Sequence, residues 1–193
     1  MFKRSIEAKI EDYLQGKDYK TFYIWGPRRS GKTTLLKQLA KKIGVRIFNF
    51  DFSSDHSLFV PDRDVLEKLT KEHKVILIDE VQNYPQATVA LKLLYDEFRI
   101  KVIATGSSEL RQKGGEFDTQ AGRFTEHYCL PLSLDEIKVN NSLKSYEEEA
   151  FEKKLVEKLQ VFGSYPEVYT SDTLSDQAKI ELLTNIVQVY VLK

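Results

Sequence analysis

The chain has 193 residues, a length that suits one domain with a sizeable core, or one domain plus a small appendage. Its 41% hydrophobic and 30% charged residues read as a globular and not a disordered chain, and 29 basic against 29 acidic residues give no support to whole-surface steering onto nucleic acid, a local basic patch apart. A single cysteine, Cys129, excludes an internal disulfide or a cysteine metal cluster.

In chain order, Ile6, Ile10 and Leu14 recur at steps of four, which predicts an amphipathic helix over residues 5–15 ended by Gly16. Residues 21–25 form an apolar run that reads as a buried strand entering a glycine-rich turn. Residues 32–43 then carry Leu35, Leu36, Leu39 and Ile43 on one helical face, with Gly44 as the stop. Alternation and β-branched or aromatic residues predict a strand over 45–52. A helix is predicted over 62–72, and the continuous apolar run 75–78 suits a parallel strand covered on both faces. A helix over 86–98, a strand over 101–105, a polar loop over 111–122 and a fifth strand over 124–130 follow. This alternation predicts an open, mainly parallel five-stranded α/β sheet in three layers, α/β/α.

Past Leu132 the strand signals stop. A short helical turn is expected over 133–137, then a polar linker through Ser145 and a charged helix over 147–162 with a solvated face. The last helix, 175–193, has Ile180, Leu183, Val187 and Tyr190 on one stripe and ends uncapped on Tyr190-Val191-Leu192. That ending leads us to expect a C-terminal domain beyond it. The expected division is an N-terminal helix (1–18), a nucleotide-binding core (19–138), and a small helical lid with the start of a truncated C-terminal region (139–193). No apolar leader or bilayer-long apolar run is apparent, so the cytoplasm is the expected compartment and no membrane partner is expected.

Gly26-Pro27-Arg28-Arg29-Ser30-Gly31-Lys32-Thr33 fits the phosphate-loop pattern G-x-x-x-x-G-K-[ST] at every fixed position. The glycines permit a tight loop whose backbone N–H groups face phosphate oxygens, and the following helix adds the positive end of its dipole. Lys32 is expected to reach the β- and γ-phosphates and the Thr33 hydroxyl to ligate Mg²⁺. ATP with Mg²⁺ is therefore the expected ligand, held by Gly26, Pro27, Arg28, Arg29, Ser30, Gly31, Lys32, Thr33 and Thr34. For Arg28 and Arg29 both phosphate and solvent remain open.

The strand at 75–78 runs into Asp79-Glu80. In an open parallel sheet, ligands bind at the carboxyl ends of the strands. Asp79 is thus placed to hold Mg²⁺ and Glu80 to polarise the water that attacks the γ-phosphate. If the strand at 101–105 lies between the first and third strands, Thr105 or Ser107 can hydrogen-bond that water or the γ-phosphate. Ordinary turn chemistry would give the same residues.

The order phosphate loop, Val-Ile-Leu-Ile-Asp-Glu-Val-Gln, Ala-Thr-Gly-Ser-Ser, Ala-Gly-Arg and Leu-Pro-Leu-Ser resembles the prokaryotic AAA-type ATPases. The group it is most similar to places this core before a second domain of unknown function, and is related to the AAA+ and STAND-type switch ATPases. The resemblance implies a P-loop NTPase fold, metal-binding and catalytic roles for Asp79 and Glu80, and a polar sensor region at Thr105 and Ser107. It also implies that Arg123, before the fifth strand, acts as an arginine finger on a neighbouring subunit's nucleotide, hence a homo-oligomer. A surface or loop-anchoring arginine is the alternative reading of that residue. Gly163-Ser164-Tyr165-Pro166 lacks the arginine that AAA+ lids often carry.

The function expected is an ATP-binding and ATP-hydrolysing ATPase that acts as a switch or motor. An ATP-gated binding module with little turnover is the second reading, and a small P-loop kinase the third. Against the kinase stand the Asp-Glu pair followed by Val-Gln and the lack of an arginine-rich lid. His56, His73 and His127 show no ligand spacing. Cys129 is expected to be packed, and the neutral charge gives no support for nucleic-acid binding.

Overall fold

The computed structural model describes residues 2–108, 121–141, 148–171 and 173–190. Most of the expected loop at 111–122, most of the linker before the charged helix, the Tyr190 side chain and residues 191–193 lie outside the described residues. The chain forms two compact units, one of Lys9–Gly26 with Lys32–Tyr128, the other of Met1–Ala8, Pro27–Gly31 and Cys129–Lys193.

In the larger unit the five-stranded sheet has the order β2-β3-β4-β1-β5, with every pair parallel. The strands are β1 (Thr21–Gly26), β2 (Ile47–Asn49), β3 (Val75–Asp79), β4 (Lys101–Ser107) and β5 (Phe124–Tyr128). As the apolar runs required, β1 and β4 are buried along their whole length. Alternate residues separate the two faces of the sheet. Tyr23, Trp25, Ile76, Ile78, Val102 and Ala104 join a core that includes Leu66 and Leu69 of α4 (Arg63–Glu72) and Ala87, Ala90 and Leu91 of α5 (Ala87–Leu93). On the other face α2 (Lys32–Ile43) lies against β1, β3 and β4 and buries Leu35, Leu36 and Leu39. The result is the three-layer α/β/α architecture. At the amino ends of the strands the Lys101 ammonium donates to the carbonyls of Tyr13 (2.5 Å), Gly16 (2.8 Å) and Asp18 (2.6 Å), which closes the C-terminal end of α1 (Ile6–Gln15).

Several boundaries differ from the expected ones for local reasons. Strand β2 ends at Asn49, whose side chain accepts from the Asp51 N–H and whose carbonyl accepts from the Phe52 N–H, so the chain turns early. A short helix α3 (Ser53–His56) follows, which no periodicity marked. The helix expected over 86–98 is α5 followed by a widened π turn, Leu94–Phe98, that stops at Arg99 in the left-handed region (φ 50°). Strand β4 runs two residues further than expected because Ser107 pairs in register with Gly26.

The smaller unit is helical, with α6 (Leu134–Asn141), α7 (Glu148–Phe162), α8 (Pro166–Tyr169) and α9 (Asp176–Tyr190). Leu132, Ile137 and Leu155 form its core, with Phe2, Leu134, Phe151, Leu159 and Tyr169 packed against them. Helix α6 outlasts the expected single turn because Ser133 and Glu136 cap it reciprocally: each backbone N–H donates to the other's side chain at 3.1 Å. Gly163 ends α7 with φ 65°, its N–H donating to the Leu159 carbonyl. No helix among the described residues is long and apolar enough to cross a membrane.

Candidate active site

Strand order decides which sequence-predicted residues meet. Strand β4 does lie between β1 and β3, and the register sets Gly26 level with Ser107, Ile24 level with Thr105, and Ile78 level with Ala104. The carboxyl ends of three parallel strands thus bring Gly26, Asp79 and Ser107 to one edge of the sheet. Lys32, the first residue of α2, is buried, and its ammonium turns back to donate to the Gly26 carbonyl at 2.8 Å. Thr33 is half-buried beside it and Thr34 is exposed.

Asp79 is buried at the end of β3. Its Oδ1 accepts from the Thr105 hydroxyl at 2.5 Å and from the Glu80 N–H at 3.1 Å. Its other oxygen has no hydrogen-bond partner among the described residues. Thr105, fully buried, therefore spends its hydroxyl on Asp79, whereas the equally buried Ser107 Oγ has no partner among the described residues. Glu80 has φ 54°, a left-handed backbone that is rare outside glycine and usually costs about 1–2 kcal/mol. Such strain persists where surrounding structure enforces it, and it clusters at functional sites.

Gln82, the last residue of the Val-Ile-Leu-Ile-Asp-Glu-Val-Gln run, supplies part of that enforcement, a role its place in the run did not assign. It lies in the 3₁₀ turn Val81–Asn83 and is buried. Its amide nitrogen donates to Glu80 Oε2 at 2.5 Å and to Asn83 Oδ1 at 3.3 Å, while its Oε1 accepts from the Ser107 N–H at 3.1 Å. Asn83 in turn donates to Asp51 at 2.6 Å. The close approach of Gln82 needs glycine at 106: a Cβ there would sit 2.6 Å from Gln82 Oε1 and 2.5 Å from Trp25 Cζ3.

In the smaller unit the loop segment Pro27–Gly31 is anchored by Arg4, a residue with no sequence signal. The buried guanidinium donates to the carbonyls of Ser30 (2.8 Å) and Leu130 (2.5 Å), and its Nε lies 3.2 Å from Glu136 Oε1. Glu136 also accepts from the Ser5 N–H, the Ser5 hydroxyl and the Ser133 N–H. Burial alone would raise the Glu136 pKa, but these donors and Arg4 together hold the carboxyl below its ordinary value. Ser30 Oγ is buried without a partner among the described residues, and Gly31 adopts φ 98°, which a side chain would resist. Arg29 (φ 63°) pairs with Glu167 of α8 at 2.7 Å, and Arg28 is exposed.

Arg123 does not join the strand-end cluster. It precedes the amino end of β5, where its carbonyl accepts from the Thr21 N–H, about five residues (~17 Å) from the carboxyl end of that strand. Its Nε contacts both carboxylate oxygens of Asp96 at 2.9 Å. Cys129 is buried, as expected, with its thiol 3.7 Å from the Ser30 carbonyl.

The donor set fits a hydrated divalent cation and phosphate. Among the described residues no three His, Cys, Asp or Glu side chains converge on one point. A cation here would draw on the remaining Asp79 oxygen, Thr33 and phosphate oxygens, which suits Mg²⁺. Ser107 Oγ in the larger unit and, separately, Ser30 Oγ in the smaller one are buried hydroxyls with no partner among the described residues, each a donor of the kind phosphate oxygens accept from.

Comparison with known proteins places the chain in a family. Residues 18–138 match the family model of an AAA domain. An uncharacterised protein of Methanocaldococcus jannaschii is 30% identical over 120 residues, covering 55% of this chain and 25% of the relative. AMPPCP-bound DnaA from Aquifex aeolicus superposes with a TM-score of 0.49 at 16% identity, over 95% of this chain and 59% of that one. Bacteroides Pif1 bound to single-stranded DNA superposes with a TM-score of 0.45 at 20% identity, over 82% and 50%. The chain thus spans a quarter of the curated relative and a little over half of the first of these solved structures.

Proposed function

We propose that this chain, which belongs to the AAA-domain family of P-loop ATPases, binds ATP with Mg²⁺ and hydrolyses its terminal phosphoanhydride bond to drive a conformational switch. The observation that carries the reading is the shared network of Asp79, Glu80, Thr105 and the Ser107 N–H at the strand ends beside Gly26 and Lys32. Loop amides, Lys32 and Ser30 bind the phosphates; Thr33 and Asp79 hold Mg²⁺, which supplies charge neutralisation on the phosphate oxygens. Glu80 accepts a proton from a water whose oxygen bonds to the γ-phosphorus as the bridging bond to the β-phosphate breaks. The products are ADP and inorganic phosphate. Thr105 keeps Asp79 aligned, and Ser107 is the hydroxyl that remains to meet the γ-phosphate.

For the switch, the supporting contact lies within the smaller unit. Arg29 of the loop pairs with Glu167 of α8, so phosphate reaching the loop competes with a carboxylate for the same guanidinium. A finger role for Arg123 across a subunit interface would require it to leave Asp96. Sizing with and without ATP reads whether that assembly occurs.

The test is phosphate release with Mg²⁺ and ATP from the wild type, Glu80→Gln and Lys32→Ala. Glu80→Gln is expected to bind ATP normally and to lose about 10²- to 10⁴-fold in turnover. Lys32→Ala is expected to lose binding. Tight binding with no release above Glu80→Gln would leave an ATP-gated binding module instead. Faster transfer to an added acceptor than to water would make it a kinase.

A further inference from the structure

We infer that Gln82 is a positioning residue for hydrolysis: it fixes the Glu80 carboxylate to the end of β4 and so sets the orientation of the general base. The inference rests on the proposed role of Glu80. Three observations carry it. First, the orientation of the Gln82 amide is determined by its neighbours. The Ser107 N–H can only donate, so Oε1 must face it, and the amide nitrogen must then face Glu80 and Asn83. Both amide protons and the carbonyl are thus engaged.

Second, Gln82 is a neutral donor to a carboxylate. It orients Glu80 while leaving it without a cationic partner among the described residues, and a general base requires an oxygen free to take a proton. Third, Glu80 sits in a strained left-handed backbone (φ 54°) and leads directly into the 3₁₀ turn that carries Gln82. Side chain and backbone therefore hold the carboxylate from two directions. The same amide ties Glu80 to Ser107, whose buried hydroxyl has no partner among the described residues. A shift of the β4 end would move the base.

The experiment compares Gln82→Glu and Gln82→Leu with the wild type and Glu80→Gln, using Mg-ATP for turnover and a β,γ-methylene ATP analogue for affinity. Gln82→Glu is nearly isosteric and keeps an oxygen for the Ser107 N–H, but it sets a second carboxyl against Glu80; two carboxyls that close share a proton, so Glu80 is no longer a free base oriented by a neutral donor. Gln82→Leu removes both bonds. A hydrogen bond to a charged group corresponds to about ten- to a hundredfold in rate, so kcat is expected to fall by that factor in both variants. KM and analogue affinity are expected to stay within about twofold in Gln82→Glu, which keeps an acceptor for the Ser107 N–H, because Gln82 hydrogen-bonds no phosphate-loop residue among the described residues. The analogue affinity also reports that each variant is folded. Wild-type kcat in Gln82→Glu would reduce Gln82 to a structural anchor for Ser107 and overturn the inference. So would a raised kcat, which would mean that the amide restrains Glu80, or a loss confined to affinity. If the wild type itself turns over no faster than Glu80→Gln, the proposed function fails and this inference with it. If it turns over normally while the Gln82 variants match it, only the inference fails.

Discussion

Removing Arg4 tests how the phosphate loop is held. Arg4 and Glu136 have side chains only 8% and 7% exposed, so solvent screens their interaction little. Arg4→Ala strips the cation from a buried carboxylate that keeps its Ser5 and Ser133 donors, and it leaves the Ser30 and Leu130 carbonyls without the guanidinium. Breaking one side of a buried ion pair typically costs about 3–5 kcal/mol. At about 2–4 °C per kcal/mol for a chain of this size, the melting temperature should fall by roughly 6–20 °C. Arg4→Met with Glu136→Gln removes both charges; the single amide oxygen can keep the Ser5 donors that bond Oε1, but not also the Ser133 N–H that bonds Oε2. What remains is the cost of two carbonyls that lack a donor and of the Ser133 N–H that lacks an acceptor, about 1–3 kcal/mol each at most and less where water reaches them.

The informative measurement is therefore a double-mutant cycle, followed by urea unfolding without nucleotide and by ATP affinity. Singles and double should deviate from additivity by about 1–3 kcal/mol, and ATP affinity should fall in Arg4→Ala because the Ser30 carbonyl no longer fixes the loop. Additivity within about 0.5 kcal/mol, or an Arg4→Ala cost below about 1 kcal/mol, would refute the clamp.

Gly106→Ala places a methyl group 2.5 Å from a ring carbon of the fully buried Trp25 and 2.6 Å from the Gln82 oxygen, so one of them must shift. Overpacking of this kind costs about 1–3 kcal/mol, and thermal melting together with a kcat loss at near-normal ATP affinity is the expected signature. Acid unfolding should proceed in two stages, because the folded forms of His127 and Glu136 bind protons less readily than the unfolded chain. Burial, with Lys9 second, holds the His127 imidazole below 6.5; its contribution is complete above that pH and is lost as the pH falls through the lowered value. Glu136 is held below 4.5, so its contribution is lost only as the pH falls further. Urea midpoints followed from about pH 8 to pH 3 should lose the first stage in His127→Phe and the second in Glu136→Gln.

The sequence and structure agree where a feature is a local backbone device, and part where it is an encounter between distant residues. The phosphate loop is legible because glycine, lysine and threonine at fixed spacing act through their own backbone and the helix they open. The parallel sheet is legible because strands covered on both faces must be apolar throughout, as residues 75–78 are. Gln82 meets Ser107 across 25 positions, and Arg4 meets Ser30 across 26 and Glu136 across 132. No spacing rule covers such pairs, since strand order alone decides which residues come together.

Gly106 shows how a correct observation can carry an incomplete reason. In the sequence it belongs to a run of small and hydroxyl residues, which turn chemistry explains well. In the structure it is paired within a fully buried strand, level with Trp25, and its φ lies outside the left-handed region. Its lack of a side chain is therefore spent on close approach, not on backbone freedom. The gap it leaves is filled from one side by an indole and from the other by the amide that reaches Glu80. A small residue at the end of β4 thus admits the contact that joins two strand ends. Serine in its place would carry the same turn propensity and the same clash as alanine. Gly106→Ser is therefore expected to behave as Gly106→Ala in melting and in kcat, and a fully active Gly106→Ser would show that the turn, and not the packing, explains the glycine.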